Sequence, residues 1–173
     1  PYNEPCDSNP EQLTVVGNTL YFTAYNGTDY GLWKSNGTAN GTMHVSTVFP
    51  SNYSGGIWHL TAVGNTLFFS ADVPTYGEEL WKSNGTANGT VMVKDIYPGN
   101  NSLWNYSSMP TDLTALNSNT LVFSARNSSG FELWESDGTA NGTVIIKDLT
   151  TSSAVSGMGS TCIFGPLYLD HRI

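Results

Sequence analysis

The chain has 173 residues, with 14 acidic and 6 basic side chains and a formal net charge of -8 at pH 7. That length supports one domain with its own core and is short for two. Six scattered basic residues exclude nucleic acid as a natural partner, and no apolar run reaches the ~18 residues needed for membrane insertion.

Residues 1–12 (PYNEPCDSNPEQ) read as an N-terminal arm. From Leu13 onward the chain repeats itself. Residues 13–45 read LTVVGNTLYFTAYNGTDYGLWKSNGTANGTMHV, residues 60–93 LTAVGNTLFFSADVPTYGEELWKSNGTANGTVMV, and residues 113–146 LTALNSNTLVFSARNSSGFELWESDGTANGTVII. A fourth copy starts at Val155 with VSGMGSTCIF and stops at Phe164. The units are therefore placed near 13–59, 60–112, 113–154 and 155–164, with 165–173 (GPLYLDHRI) as a C-terminal strand or arm.

Each unit divides into about four short strands. In the second unit these are Leu60–Val63, Leu67–Ala71, Leu80–Lys82 and Val91–Lys94. Gly64-Asn65 and Asn84-Gly85 are residue types that accept positive φ in tight turns. Along the second strand Leu67, Phe69 and Ala71 share one face, as do Leu20, Phe22, Ala24 and Leu121, Phe123, Ala125. The opposite face carries Tyr21, Phe68 or Val122. On the third strand Leu and Trp point to opposite faces (Leu32/Trp33, Leu80/Trp81, Leu133/Trp134). A sheet apolar on both faces must be covered on both. The expected fold is all-β: a propeller-like repeat of about four four-stranded blades, the last incomplete or completed by a terminal strand.

The run E-L-W-K-S-D-G-T-x-x-G-T, after L-x-x-V-G-N-T-L-F-F-S-A, resembles a tandem repeat of large secreted and cell-surface proteins of bacteria and some protists. Here it appears as GLWKSNGTANGT, EELWKSNGTANGT and FELWESDGTANGT, so the resemblance covers about residues 13–146 and extends weakly to Phe164. It implies propeller-like β repeats on an extracellular protein and no nameable enzyme activity. The chain departs from the pattern at Asn36 and Asn84, where Asp is usual; Asp137 keeps the acid. An ion site built on that Asp is in doubt in units one and two.

The same departure creates N-x-S/T sequons. They fall at Asn26, Asn36, Asn40, Asn52, Asn84, Asn88, Asn100, Asn105, Asn127 and Asn141, mostly in expected turns. Such density reads as N-glycosylation of exposed loops on a secreted or cell-surface chain, although N-G-T also makes good turns by itself. Covalent glycans are expected and no dissociable cofactor. Cys6 and Cys162 form an even pair in a secreted-looking sequence and read as a disulfide. A bridge between them within one molecule would close a long loop, worth about 5 kcal/mol by chain entropy. The other reading is a buried thiol, because Cys162 takes the place of Leu20, Leu67 and Leu121.

No catalytic constellation is legible. His44, His59 and His171 lack metal-ligand spacing, and no nucleophile elbow, P-loop or H-E-x-x-H occurs. Glu79 and Glu132 recur before Leu-Trp, and Asp95 and Asp148 recur after a lysine, which marks architecture rather than an acid/base pair. They are expected to pair with Lys82, Lys94 or Lys147 near a solvated face. Trp58 and Trp104, in the connecting stretches, are the candidates for a surface contact. The expected function is structural: a glycosylated extracellular filament subunit, self-associating into a homopolymer through its terminal strands. The alternative is a monomeric lectin-like propeller that binds a glycan or protein.

Overall fold

A computed structural model describes residues 7–46, 55–100 and 105–148; Cys6, Asn52, Trp104, Cys162, His171 and the fourth unit lie outside these. The described residues form twelve strands and no helix. The first unit gives β1 (Glu11–Val16), β2 (Thr19–Tyr25), β3 (Tyr30–Ser35) and β4 (Met43–Ser46). The second gives β5 (Ile57–Val63), β6 (Thr66–Val73), β7 (Gly77–Ser83) and β8 (Val91–Lys94). The third gives β9 (Thr111–Ala115), β10 (Leu121–Asn127), β11 (Gly130–Ser136) and β12 (Val144–Lys147). Each set is one antiparallel four-stranded sheet in chain order. The all-β expectation therefore holds, as three successive meanders.

The hairpins follow from their turn residues. Val63 pairs with Thr66 across Gly64-Asn65, and Gly64 has φ 56°. The first unit repeats this with Val16 opposite Thr19 and Gly17 at φ 59°. The third-to-fourth connection is longer than a tight hairpin: residues 84–90 separate β7 from β8. β1 also begins earlier than the repeat boundary. Its Glu11 and Gln12, and Ser8 through a bond from Tyr25 N, belong to sheet 1 rather than to a separate arm.

The first strand of each sheet, β1, β5 and β9, carries a bulge at the same place. The register slips between Glu11 and Thr14, between Trp58 and Thr61, and between β9 and β10 near Thr111. The extra residues Gln12, His59 and Asp112 sit at φ 55°, 61° and 55°. A bulge with a left-handed residue bends the strand and re-aims its side chains. Here it turns a threonine toward the next sheet. Thr14 Oγ1 reaches Leu60 O at 3.2 Å and Thr61 Oγ1 reaches Leu113 O at 3.3 Å.

The sheets pack in series, face against face. The forward face of sheet 1 (Val16, Tyr21, Leu32, Val45) meets the rear face of sheet 2 (Leu67, Phe69, Ala71, with Leu60 and Trp81). The forward face of sheet 2 (Val63, Phe68, Leu80, Val93) meets the rear face of sheet 3 (Leu121, Phe123, Ala125, Trp134). Alternation along each strand thus supplies both sides of the interface from one repeat. Among the described residues only sheet 2 is buried on both faces, and β6 is nearly solvent-free along its length.

This packing predicts unequal costs at one repeat position. Leu80, fully buried, should lose about 2–5 kcal/mol on change to Ala. Its counterpart Leu133, exposed on the forward face of sheet 3, should lose about 1 kcal/mol or less. Urea unfolding of the two variants measures the difference; equal losses would contradict the serial packing.

Candidate functional site at the seams between units

The S-N/D-G-T-A-N-G-T segment is a polar loop of one construction in all three units. Its first serine and last threonine share a hydrogen bond: Ser35 with Thr42 at 2.7 Å, Ser83 with Thr90 at 2.8 Å, and Ser136 with Thr143 at 2.8 Å. The serine oxygen also accepts from the glycine N–H two residues on. Next comes an Asx turn. Asn36 Oδ1 accepts from Thr38 N (3.1 Å) and Thr38 Oγ1 (2.7 Å). Asn84 accepts from Thr86 N (3.0 Å) and Thr86 Oγ1 (2.7 Å). Asp137 does the same with Thr139 at 2.8 and 2.7 Å.

This explains why Asn replaces Asp. The loop needs one acceptor oxygen, which either residue supplies. In Asn36 and Asn84 the turn uses the amide oxygen and does not require the amide nitrogen. The second glycine is fixed by contact. A Cβ at Gly41, Gly89 or Gly142 would fall within about 2 Å of the Asn or Asp side chain, so the turn has no room for one. The bonds from Thr139 hold the Asp137 carboxyl below the usual carboxylate range, and its exposure lets water share the charge.

Lysines tie the second and third loops to the sheet behind each. Lys34 Nζ donates to Gly85 O at 2.7 Å, and Lys82 Nζ donates to Gly138 O at 2.7 Å. Lys94 Nζ donates to Thr143 O at 2.7 Å, with its ammonium 5.8 Å from the centre of the Trp134 ring. The second seam opens at its edge into a groove of 580 Å³, lined by Asn65, Phe68, Lys82, Ser118, Asn119 and Asp137 among others. Among the described residues its charged groups are Lys82, which donates across the seam to Gly138 O, and Asp137, which accepts from Thr139 within its own loop.

Of the recurrent acids, Asp148 is exposed and Asp95 half-buried, whereas Glu79 and Glu132 leave the solvated face expected for them. Glu79 and Glu132 are buried. Glu79 accepts from Ile96 N (2.9 Å), Ser108 N (3.1 Å) and Ser108 Oγ (2.6 Å). It pins the connection between units two and three against β7. Glu78 alternates to the other face, where Ser70 Oγ donates to it at 2.8 Å. Adjacent strand residues point apart, so the two carboxylates cannot share a substrate. Lys82 and Lys94 bind carbonyls instead. The first unit has Gly31 in place of Glu79, and His44 fills that space: a Cβ at Gly31 would meet His44 Nε2. The His44 ring sits edge-on to Trp33 at 5.4 Å, and burial lowers its pKa.

The sequons divide into two groups. Asn36, Asn40, Asn84, Asn88 and Asn141 are exposed in the three equivalent loops, and Asn26 and Asn100 are exposed elsewhere. Asn127, half-buried, accepts from Ser129 N through Oδ1 at 2.7 Å. Asn105 is half-buried, its amide donates to Pro74 O, and it bridges to Asn100 across the connection. Of the tryptophans, Trp134 is buried and Trp33 and Trp81 are half-buried in the sheets, with Trp33 and Trp134 donating to Ala24 O and Ala125 O. Trp58 lies in β5 rather than in an irregular connection; it is 40% exposed, with its ring against Gly56. Among the described residues no three His, Cys, Asp or Glu side chains gather to hold a metal. Compared with known proteins, the chain matches no family model, no curated protein and no solved structure.

Glu79 gives the seam a pH dependence. Burial pushes its carboxyl up to about 7, against the opposing pull of the bonds from Ser108 and Ile96. A folded-state pKa above the unfolded 4.5 means full stability below that value and a loss as pH rises through about 7. The loss is at most about 3 kcal/mol. Unfolding measured from pH 4.5 to 8 should show it, and Glu79→Gln should remove that part of the profile. An unchanged profile in the variant would contradict the assignment.

Proposed function

We propose that the protein is a structural, N-glycosylated extracellular repeat protein, a subunit of a cell-surface or extracellular filament. The observation that carries this reading is where its polar chemistry goes. Lys34, Lys82 and Lys94, the buried Glu79 and the loop hydroxyls of all three units hold loops and connections in place, while the sequon loops stand in solvent. In this reading the three sheets are successive blades of a propeller-like series, with β1, β5 and β9 as neighbouring inner strands. The terminal segments 1–7 and 165–173 contribute to the links between subunits. Glycans on Asn36, Asn40, Asn84, Asn88 and Asn141 would shield the loops and sheet edges. It performs no catalysis and uses no cofactor beyond its covalent sugars.

Native material should show filaments by negative-stain microscopy, and glycan release should lower the protein mass in steps. Dispersed globules with unmodified asparagines would contradict the reading. A second reading rests on Trp58, whose exposed ring is suited to stacking on a sugar. If the protein is a lectin, glycan-array binding should be present and disappear in Trp58→Ala. Filaments without glycan binding would leave the structural reading alone.

A further inference from the structure

The two seams inside the chain are copies of one interface, and both of its halves recur uncovered at opposite ends of the described sheets. On the forward face of sheet 3, Leu116, Leu133 and Ile146 are 63%, 40% and 46% exposed. Their counterparts Val63, Leu80 and Val93 in sheet 2 are 4%, 0% and 6% exposed. On the rear face of sheet 1, Leu13 and Val15 are both 63% exposed, and Leu20, Phe22 and Trp33 are half-exposed. The corresponding Leu67, Phe69, Leu121 and Phe123 are buried. Apolar patches of this kind mark association surfaces.

We propose that the forward face of sheet 3 docks on the rear face of sheet 1 of a second copy of the chain. The inference rests on the filament reading and deepens it, by naming the surface that joins subunits. The occupant follows from continuity with the internal seams, where the same forward residue types already meet the same rear ones twice. The polar groups agree. Thr14 and Thr61 donate to Leu60 O and Leu113 O, so Thr114 of one copy faces Leu13 O of the next. Lys94 donates to Thr143 O, so Lys147 faces Thr42 O of the next copy. One feature differs. Lys34 and Lys82 clasp a glycine carbonyl, whereas the third unit places Glu135 there, facing Gly37 O of the second copy. The junction therefore lacks one of the two clasps of the second internal seam and is weaker than it. Because it joins two different faces, the contact is head-to-tail and propagates unless a ring closes.

Sedimentation velocity of the full glycosylated chain tests this across a concentration series. Wild type should form a ladder of oligomers. Leu133→Asp and Val15→Asp, both at exposed positions, should each stop growth without lowering the unfolding temperature. Mixed together, the two variants each keep one live face and should give heterodimers and nothing larger. Glu135→Lys should tighten association about tenfold, as expected for a restored charged hydrogen bond. Face variants that assemble like wild type would overturn the inference, and if removal of residues 1–7 or 165–173 then abolishes filaments, the filament reading survives alone. Closed dimers that need both faces would keep the inference and end the filament reading. A strictly monomeric protein destabilised by Leu133→Asp would assign that face to residues 149–173 and overturn the inference.

Discussion

A four-stranded sheet with apolar side chains on both faces cannot stand alone in water, and this constraint organises the molecule. Each unit presents Leu, Phe and Ala to the unit before it, and a second set of Val, aromatic and Leu to the unit after it. Neither set is buried by its own sheet. Burial comes from stacking, so the seams hold most of the hydrophobic stabilisation, as in repeat proteins whose energy is carried between neighbours. Sheet 2 has two seams, and sheets 1 and 3 have one each within the described residues.

The polar loops fix the spacing that the apolar faces require. A non-directional attraction would tolerate sliding of one sheet on the next. The lysine-to-carbonyl bonds and the threonine bonds from the bulged strands β1 and β5 oppose it, because each has one partner at one offset. The Ser–Thr bond and the Asx turn keep the accepting loop rigid. The same construction holds the sequon asparagines Asn36, Asn40, Asn84, Asn88 and Asn141 in solvent.

Much of this was legible in the sequence, because period-two alternation reports which residues share a face. Leu67, Phe69 and Ala71 on one side and Phe68 on the other were assigned from the pattern alone, and the glycine hairpins from Gly-Asn. The bulges were not legible. Gln12, His59 and Asp112 share no side-chain chemistry, and their left-handed conformation is imposed by the strand's need to bend toward its neighbour. The burial of Glu79 was hidden for another reason: its partners Ile96 and Ser108 lie in a connection whose path depends on tertiary contacts. A signal did exist for the lysine clasps. Lys34 and Lys82 hold one repeat position and Glu135 breaks it, a departure that acquires meaning once the facing carbonyl is known.

Strand-resolved amide hydrogen exchange on the dispersed monomer tests directly where the stability lies. If the seams carry it, β6 and β7 of sheet 2 should exchange only through global unfolding, and β4, β9 and β12 should open first. Equal protection in all three sheets, or the slowest exchange in sheet 3, would show that each unit is stable by itself and would contradict the account.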